Sequence, residues 1–391
     1  MGDPVLILSP DSSTKHARFS VLDFARLAAV FMMIQGHSIG TFVIPAEIPP
    51  YEGFWGTIYT WLRGLTSPTF LLISGMVNFV GLKRDEQGRV YPRILSKRLR
   101  RALLLILIDY LLIFPSARIW GLAVVTGDQW HMFFRVGTLN IIGVSLIGVV
   151  GLMWLTRSNR HFMYACLGLG TAIAVATPWV HNVDWFKALP SYFAHYLTYK
   201  GGSSFSIFPH TAFMLVGAGL GGYALDLLRD GNRWKFTLRM GEVGFALIML
   251  MLGVELFATP MLPKHDFFIS SPFIVGEKVG LSLILISLYS VLFNVSTRYS
   301  DSYSLLSRKT IHIYVAHILF LFGNAWVWGF GRIFHGTLHI WQGALMAAAA
   351  ICFSLAVGVA FASAERDRPD LHRLMHYGLA CTLVYFLLFG V

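Results

Sequence analysis

The chain has 391 residues and a net charge of +11, but only 13% of its residues are charged, against about 25% in a typical soluble domain. Hydrophobic residues make up 55% of the chain, and the mean hydropathy is +0.62. This composition excludes an ordinary soluble enzyme, whose core could not bury so much apolar side chain, and a disordered chain. Long unbroken apolar runs favour an all-α, polytopic integral membrane protein over a barrel of short alternating strands.

Eleven segments have the apolar length, roughly 20 residues, that a membrane-spanning helix needs. They cover residues 20–42, 56–82, 102–123, 132–155, 162–180, 205–228, 240–260, 273–296, 311–330, 341–363 and 374–391. The last segment is short, so whether it crosses completely stays open. Residues 1–20 lack a continuous apolar region and are not expected to be a cleavable signal peptide. The sequence predicts one membrane domain over 1–391, a bundle of about 11 transmembrane helices.

The basic residues are distributed unequally between the two sides of the predicted bundle. With a cytoplasmic N-terminus, the cytoplasmic connections carry 22 Lys and Arg, including Lys15 and Arg18, and the opposite connections carry five. Lys and Arg concentrate on the cytoplasmic side of membrane proteins, so this asymmetry predicts that orientation. It also accounts for the net charge without a nucleic-acid partner. The three cysteines have no metal-binding or disulfide spacing, and no metal is expected.

The first span contains three ionisable residues, which are costly inside a membrane and are therefore candidates for function. Asp23 lies three residues before Arg26, so the two side chains can pair on a helix. Arg26 and His37 are eleven residues apart and fall within roughly 20° of one helix face, about 16 Å apart along the axis. The alternative is that the charged pair caps the helix at the interface and that His37 is a packing residue.

A glycine-rich segment at 217–222, GAGLGG, superficially suggests a nucleotide-binding loop. It lies inside a predicted span and no strand precedes it, which argues against that function. Small residues at this spacing instead predict close packing between helices.

Residues 22–37, LDFARLAAVFMMIQGH, resemble the opening helix of integral-membrane acyltransferases. These include acyltransferase family three and the bacterial relatives of heparan-α-glucosaminide N-acetyltransferase, in which an Arg is followed by ten residues and a His. Arg26 and His37 match that spacing. Residues 67–75, 208–218 and 307–317 are similar to further helices of the second group, and the resemblance covers about 18–330.

The resemblance implies acyl transfer, most simply of acetyl from acetyl-CoA, to a hydroxyl or amine acceptor that is a carbohydrate or another small molecule. His37 would act as the base for the acceptor or carry the acyl group itself. Eukaryotic relatives use a His in the loop after the first helix, but loop 38–55 has none, so His37 would serve alone or with His317. Arg26 and Asp23 complete the predicted catalytic group.

The donor would be held near the third helix. Arg98 and Arg101 match the family's Arg-x-x-Arg pair, and guanidinium groups suit phosphates, although a role in topology explains these residues equally well. Asn140 falls where the fourth helix of the family carries an amide and could contact the thioester arm. The long loop 181–204 is rich in aromatic and polar residues, which fits either sugar contact or an interfacial aromatic belt.

The expected partners are acyl-CoA, the acceptor, the lipid bilayer and, as one option, a second copy of the chain in a homodimer. The resemblance to bacterial relatives implies the bacterial inner (plasma) membrane. A secondary transporter is the main alternative, because midplane charges and the helix-interrupting Pro68 and Pro209 would serve it as well. A catalytically inactive membrane scaffold is a third option, since Leu27 replaces the usual Gly after the first-helix Arg.

Overall fold

The computed structural model describes residues 20–49, 53–230 and 232–390, and in these ranges the protein is all-α, with isolated bridges but no strand. The α-helices of the described residues are α1 (Ser20–Phe42), α2 (Phe54–Phe79), α3 (Pro92–Leu112), α4 (Gly127–Phe133), α5 (Thr138–Leu155), α6 (Asn159–Asn182), α7 (Trp185–Ala188), α8 (Ser191–Leu197), α9 (Ile207–Arg229), α10 (Arg233–Ala258), α11 (Phe267–Ser270), α12 (Pro272–Val295), α13 (Ser300–Ser307), α14 (Thr310–Leu321), α15 (Gly331–Phe334), α16 (Ile340–Asp367) and α17 (Pro369–Phe389). Lys15, Arg18 and the rest of the segment examined for a signal peptide, apart from Ser20, lie outside these ranges.

Six of the helices are long and apolar enough to cross a membrane, namely α5, α6, α9, α10, α12 and α16. Their outward surfaces carry many exposed large apolar side chains, which in water would be unfavourable and in lipid are expected. The all-α fold and the integral membrane character are therefore confirmed. Each of the eleven predicted segments overlaps a helix, while the number of about eleven crossings and the cytoplasmic N-terminus stay predictions.

The third predicted segment is displaced from the helix that it was meant to describe. Residues 102–123 were expected to span, but α3 begins at Pro92 and ends at Leu112, and a separate 3₁₀ helix follows at Ile119–Val124. The mean hydropathy did not indicate the start of this helix, because residues 97–101 include four cations. Pro92 was nevertheless a signal, since proline at the first position favours the start of a helix. Arg98 and Arg101 consequently lie inside the helix rather than at its mouth.

The ninth segment is also shorter than predicted. Residues 311–330 were expected to form one helix, but α14 ends at Leu321 and the chain turns at Gly323, whose φ is +66°. A bridge between Gly323 and Trp328 closes the turn. A positive φ is the conformation in which glycine has no steric penalty, so the helix ends where this glycine allows the chain to reverse.

α2 and α9 pack together through glycines in a reciprocal close contact. A Cβ atom added at Gly217 would lie 2.1 Å from the carbonyl oxygen of Leu72, and one added at Gly75 would lie 2.1 Å from that of Met214. The backbones of the two helices therefore touch where neither residue has a side chain. This confirms the prediction that the glycine-rich segment serves helix packing.

The orientation can be tested by labelling single cysteines in intact cells, after Cys352 and Cys381, which are exposed, are changed to serine. Gln87, in the α2–α3 connection, and Lys187, in α7, are both exposed. We expect an impermeant thiol reagent outside the cell to label Lys187→Cys and to spare Gln87→Cys. The reverse pattern would place the N-terminus on the outer side.

Candidate functional site

The first turns of α1 carry an ion pair that a second helix completes. Arg26 Nη1 lies 3.8 Å from Asp23 Oδ1, as the i,i+3 spacing predicts. Ser307 accepts a hydrogen bond from Arg26 at 3.1 Å and donates one to Asp23 at 2.9 Å, while Ser304 donates to the other carboxylate oxygen at 3.0 Å. Both serines belong to α13, so the pair joins two helices and is more than an isolated cap of α1.

Two histidines from distant parts of the chain meet near the other end of α1. His37 Nδ1 lies 3.4 Å from His317 Nε2, and the two rings are stacked with centroids 5.6 Å apart. His317 is fully buried in α14, and the Tyr314 ring packs edge-on against it at 4.9 Å. One imidazole nitrogen donates and the other accepts, so each ring fixes the tautomer of the other.

A cavity of 460 Å³ begins at α3 and extends between α1, α2 and α5. We call it the basic cavity, because its lining includes the five cations Arg26, Arg93, Lys97, Arg98 and Arg101. Within the described ranges, no Asp or Glu lines it. Arg101 follows Arg98 by three positions, which places both on the same face of α3. This concentration of positive charge would attract a polyanion such as a nucleotide with several phosphates.

The inner part of the basic cavity has a different lining from the part at α3. Its walls are largely apolar, with Met33 and Phe70 among them, and its polar groups include Thr138 and Tyr314. A long, mostly uncharged arm attached to a phosphorylated head would match this change along the cavity.

Asn140 lies behind this wall instead of in it. The side chain is fully buried, and its Oδ1 accepts a hydrogen bond from Tyr196 at 3.2 Å. Asp109, also buried, accepts a hydrogen bond from the neighbouring backbone N–H of Leu139 at 3.3 Å. Asn140 is not among the lining residues of the basic cavity, so the structure does not bring it together with the predicted donor-binding arginines.

A second cavity, of 530 Å³, lies on the His37 side of the bundle. We call it the histidine cavity, and its polar lining includes His37, His210, Arg63, Lys278, Tyr199 and Ser204. The Tyr199 hydroxyl is 3.0 Å from His210 Nδ1. Pro68 also lines it, within α2, where the proline cannot donate a helical hydrogen bond to the carbonyl of Gly64. Interrupted helices of this kind occur in membranes where they face a cavity.

The two cavities adjoin. Met33, Ser67 and Phe205 line both of them. A molecule in the basic cavity and another in the histidine cavity would therefore be separated by about the thickness of these side chains. His37, on the helical turn after Met33, is placed beside the junction.

The sequence did not predict a function for several residues of the histidine cavity. Arg63 and Lys278 are cations within predicted spans 56–82 and 273–296, and His210 lies in the family-like segment 208–218, but no role followed from the sequence for any of the three. Tyr199 and Ser204 lie in the loop whose aromatic and polar content suggested sugar contact. The available signal was the presence of cations in helices that otherwise read as apolar, but the rotation of those helices is needed to show that the cations face one space.

Comparison with protein families identifies a match, whereas comparison with curated proteins identifies none. The matching family is described as "Heparan-alpha-glucosaminide N-acetyltransferase, catalytic", and its model covers residues 18–255. This range contains α1 through most of α10, and with them the cations of the basic cavity and His37. Because the match extends over more than half of the chain, the protein belongs to the heparan-alpha-glucosaminide N-acetyltransferase catalytic family.

Proposed function

We propose that the protein transfers an acetyl group from acetyl-CoA in the basic cavity to an amine or hydroxyl of a carbohydrate in the histidine cavity. Membership of the family supports a membrane-bound acetyltransferase that acts on carbohydrate with acetyl-CoA as donor. The single observation that carries the two-cavity assignment is their junction at Met33, Ser67 and Phe205, beside the His37–His317 pair.

In this proposal the donor enters from the side of α3. The phosphates of CoA bind Arg98, Arg101 and neighbouring cations, and the pantetheine arm extends along the apolar walls toward Thr138 and Tyr314. The thioester then lies near Met33 and Ser67. If the orientation predicted from the basic residues holds, the donor comes from the cytoplasm and the acceptor from the opposite side, so the acetyl group crosses the membrane during the transfer.

His37 acts as the general base. The acceptor nitrogen or oxygen attacks the thioester carbonyl, a C–N or C–O bond forms, and the C–S bond breaks. His37 takes the proton of the acceptor and returns it to the CoA sulfur as the thiol leaves. His317 orients the His37 ring through the contact between Nδ1 and Nε2, as the third member of a triad orients its base. Asp23 and Arg26 act at a distance, by fixing α1 against α13.

The alternative in which His37 carries the acetyl group covalently predicts different kinetics. Direct transfer requires both substrates to be bound at once, so double-reciprocal plots of the initial rate at several acceptor concentrations give intersecting lines. An acetyl-histidine intermediate gives parallel lines in the same plots, and it also allows exchange between acetyl-CoA and labelled CoA in the absence of acceptor. We favour direct transfer, because the adjoining cavities allow both substrates to be bound at once.

The donor assignment predicts a selective change in substrate affinity. In the double variant Arg98→Gln/Arg101→Gln, the KM for acetyl-CoA should rise about 100-fold or more with little change in kcat, since each charge-assisted contact contributes about 1.5–3 kcal/mol. Steady-state kinetics at varied acetyl-CoA measure this.

Arg100 is the matched control for this variant, because it lies between the two residues on α3 and does not line the basic cavity. Arg100→Gln should leave the KM for acetyl-CoA unchanged. The donor assignment would be wrong if the double variant changed the protein yield as Arg100→Gln does and left the KM for acetyl-CoA unchanged. Arg98 and Arg101 would then have a role in topology only.

The function itself is tested with purified full-length protein in detergent, labelled acetyl-CoA and a panel of amino sugars and neutral sugars. We expect acetylated product with at least one amino sugar. Absence of both transfer and thioester hydrolysis, combined with uptake of a sugar into proteoliposomes, would favour the secondary transporter instead. If the folded protein showed no acetyl transfer, no thioester hydrolysis and no sugar uptake, a catalytically inactive membrane scaffold would be favoured.

A further inference from the structure

The proposed mechanism leaves one proton without a base when the acceptor is an amine. Near neutral pH such an acceptor is mostly an ammonium ion, since an α-amino group has a pKa of about 7.7–8.0. The ammonium ion must lose one proton before its nitrogen can attack, and the attacking amine must then lose a second. His37 returns the second proton to the CoA sulfur, so the first proton needs another base.

The His37–His317 pair offers no hydrogen-bonded route for that first proton. His317 is fully buried, and its Nδ1, the nitrogen that does not contact His37, has no hydrogen-bond partner among the described residues. A proton on His37 can therefore go only to the reacting molecules or into the histidine cavity. Within the described ranges, no Asp or Glu lines this cavity, whereas Arg63 and Lys278 do, so an ammonium ion there would have no anion to stabilise it.

His210 is the other imidazole that lines the histidine cavity within the part of the chain that the structure describes. It lies near the start of α9, and its ring packs edge-on against that of Phe205 with centroids 4.8 Å apart. Phe205 is one of the side chains at the junction of the two cavities. His210 therefore approaches the junction from α9, while His37 approaches it from α1.

The ring of His210 is held in one orientation by its neighbours. Tyr199 Oη lies 3.0 Å from Nδ1, and the Phe213 ring contacts it edge-on with centroids 6.1 Å apart. When Nδ1 donates its hydrogen to the tyrosine oxygen, Nε2 carries the lone pair that a base needs. His210 is half-buried, unlike the fully buried His317, so a proton on its ring can reach solvent through the cavity.

We propose that His210 is a second base, which accepts the first proton of an ammonium acceptor before His37 accepts the second. This inference rests on the proposed function of the histidine cavity as the acceptor site. An N–H bond of the ammonium ion breaks, its electron pair stays on nitrogen, and the proton binds His210 Nε2. The neutral amine then attacks the thioester carbonyl, and His210 releases its proton to solvent. Each acetylated amine thus yields one proton, whereas a hydroxyl acceptor yields none.

Charged and titratable groups face His210 from several other elements. They are Tyr199 in the loop after α8, His181 of α6, Lys278 of α12 and, across the histidine cavity, His37 of α1 and Arg63 of α2. Among them, the imidazoles are the groups whose ordinary pKa lies between pH 5 and pH 8. The test must therefore separate His210 from His37 and His181. Because His37 acts on every acceptor and His181 does not line the cavity, a comparison of two acceptors achieves this.

The test uses two amines and the purified full-length protein. Glucosamine is charged below about pH 8, whereas an aryl amine glycoside is uncharged throughout the range and needs no second base. The kcat/KM for each is measured with labelled acetyl-CoA. In His210→Gln, kcat/KM for glucosamine should fall, relative to the unmodified protein, about tenfold for each pH unit between about pH 8 and pH 6.5, because only the neutral amine reacts. Any loss for the aryl amine should be the same at every pH.

Two further variants reach the same imidazole in different ways. Tyr199→Phe removes the oxygen that orients the ring and should give a smaller loss with the same dependence on pH. Tyr164→Phe is its control, because Tyr164, in α6, is exposed and lines neither cavity. His210→Ala should regain transfer to glucosamine when imidazole is added, since the free imidazole supplies the missing base.

The outcomes separate this proposal from the proposed function. If neither amine is acetylated at any pH, the proposed function fails, and the second base fails with it. If both are acetylated but the unmodified protein already loses activity with glucosamine about tenfold for each unit below the pKa of the amine, only the second base is wrong. This profile needs no variant, so it decides even if His210→Gln does not fold. An equal loss for both amines at every pH in His210→Gln would also overturn the proposal, because a residue that only positions the acceptor acts on both alike.

Discussion

Replacement of His37 by glutamine is expected to abolish acetyl transfer while the protein still folds and binds acetyl-CoA. Loss of a general base lowers kcat by about 10²–10⁴-fold, and glutamine keeps much of the volume and hydrogen-bonding capacity of the ring. Single-turnover kinetics with saturating acetyl-CoA measure the chemical step directly, and the KM for acetyl-CoA should change little.

Two further variants define the role of each histidine. His317→Gln should lower kcat less than His37→Gln, because His317 contacts the base but does not line either cavity. His161 is exposed at the start of α6 and lies outside both cavities, so His161→Gln should have no effect. Near-full activity of His37→Gln would move the role of base to His317. If neither imidazole mattered, the transporter would become the better explanation.

Introduction of a side chain at Gly217 is expected to separate α2 from α9 and to destabilise the whole bundle. In Gly217→Val the new atoms would overlap the carbonyl group of Leu72, which belongs to a helix backbone and cannot move aside as a flexible side chain can. Overpacking typically costs about 1–3 kcal/mol, and more where the surroundings cannot move. The Tm in detergent should fall, and size-exclusion chromatography should show a larger aggregated fraction.

The control for this variant is a glycine in an equally apolar helix with free space around it. A Cβ atom added at Gly148, in α5, meets nothing within 4 Å, and alanine favours the helical conformation over glycine by about 1 kcal/mol. Gly148→Ala should therefore leave the Tm unchanged or raise it. An unchanged Tm for Gly217→Val would mean that α2 and α9 lie farther apart than the structure places them.

The sequence predicted the fold class because hydropathy depends only on composition along a window, and eleven apolar windows overlap eleven helices. It misplaced the start of α3, where Arg98, Arg100 and Arg101 lower the mean hydropathy of a stretch that is nonetheless helical. It gave no sign of α13, whose eight residues are too few and too polar to register. That omission matters, since α13 supplies Ser304 and Ser307 to the Asp23–Arg26 pair.

The site was predictable where its residues share one helix and not where they meet between helices. Arg26 and Asp23 pair as their spacing indicates, and periodicity placed Arg26 and His37 on one face of α1. The contact of His37 with His317 depends on how α1 packs against α14, which no local pattern encodes. Arg63 was visible as a charge in a span, but its place beside His37 depends on the absence of a side chain at Gly40 on a different helix.

The separation along the chain between α1 and its partners has a consequence for how the protein is made. Ser304, Ser307 and His317 follow their α1 partners by 281, 284 and 280 residues. A ribosome adding about 5–20 residues per second needs about 14–56 s for that distance. Throughout this interval α1 carries its carboxylate and imidazole without these partners. The Asp23–Ser304–Ser307 and His37–His317 contacts therefore form only when most of the chain has been synthesised, so a nascent chain lacks the proposed catalytic pair throughout this interval.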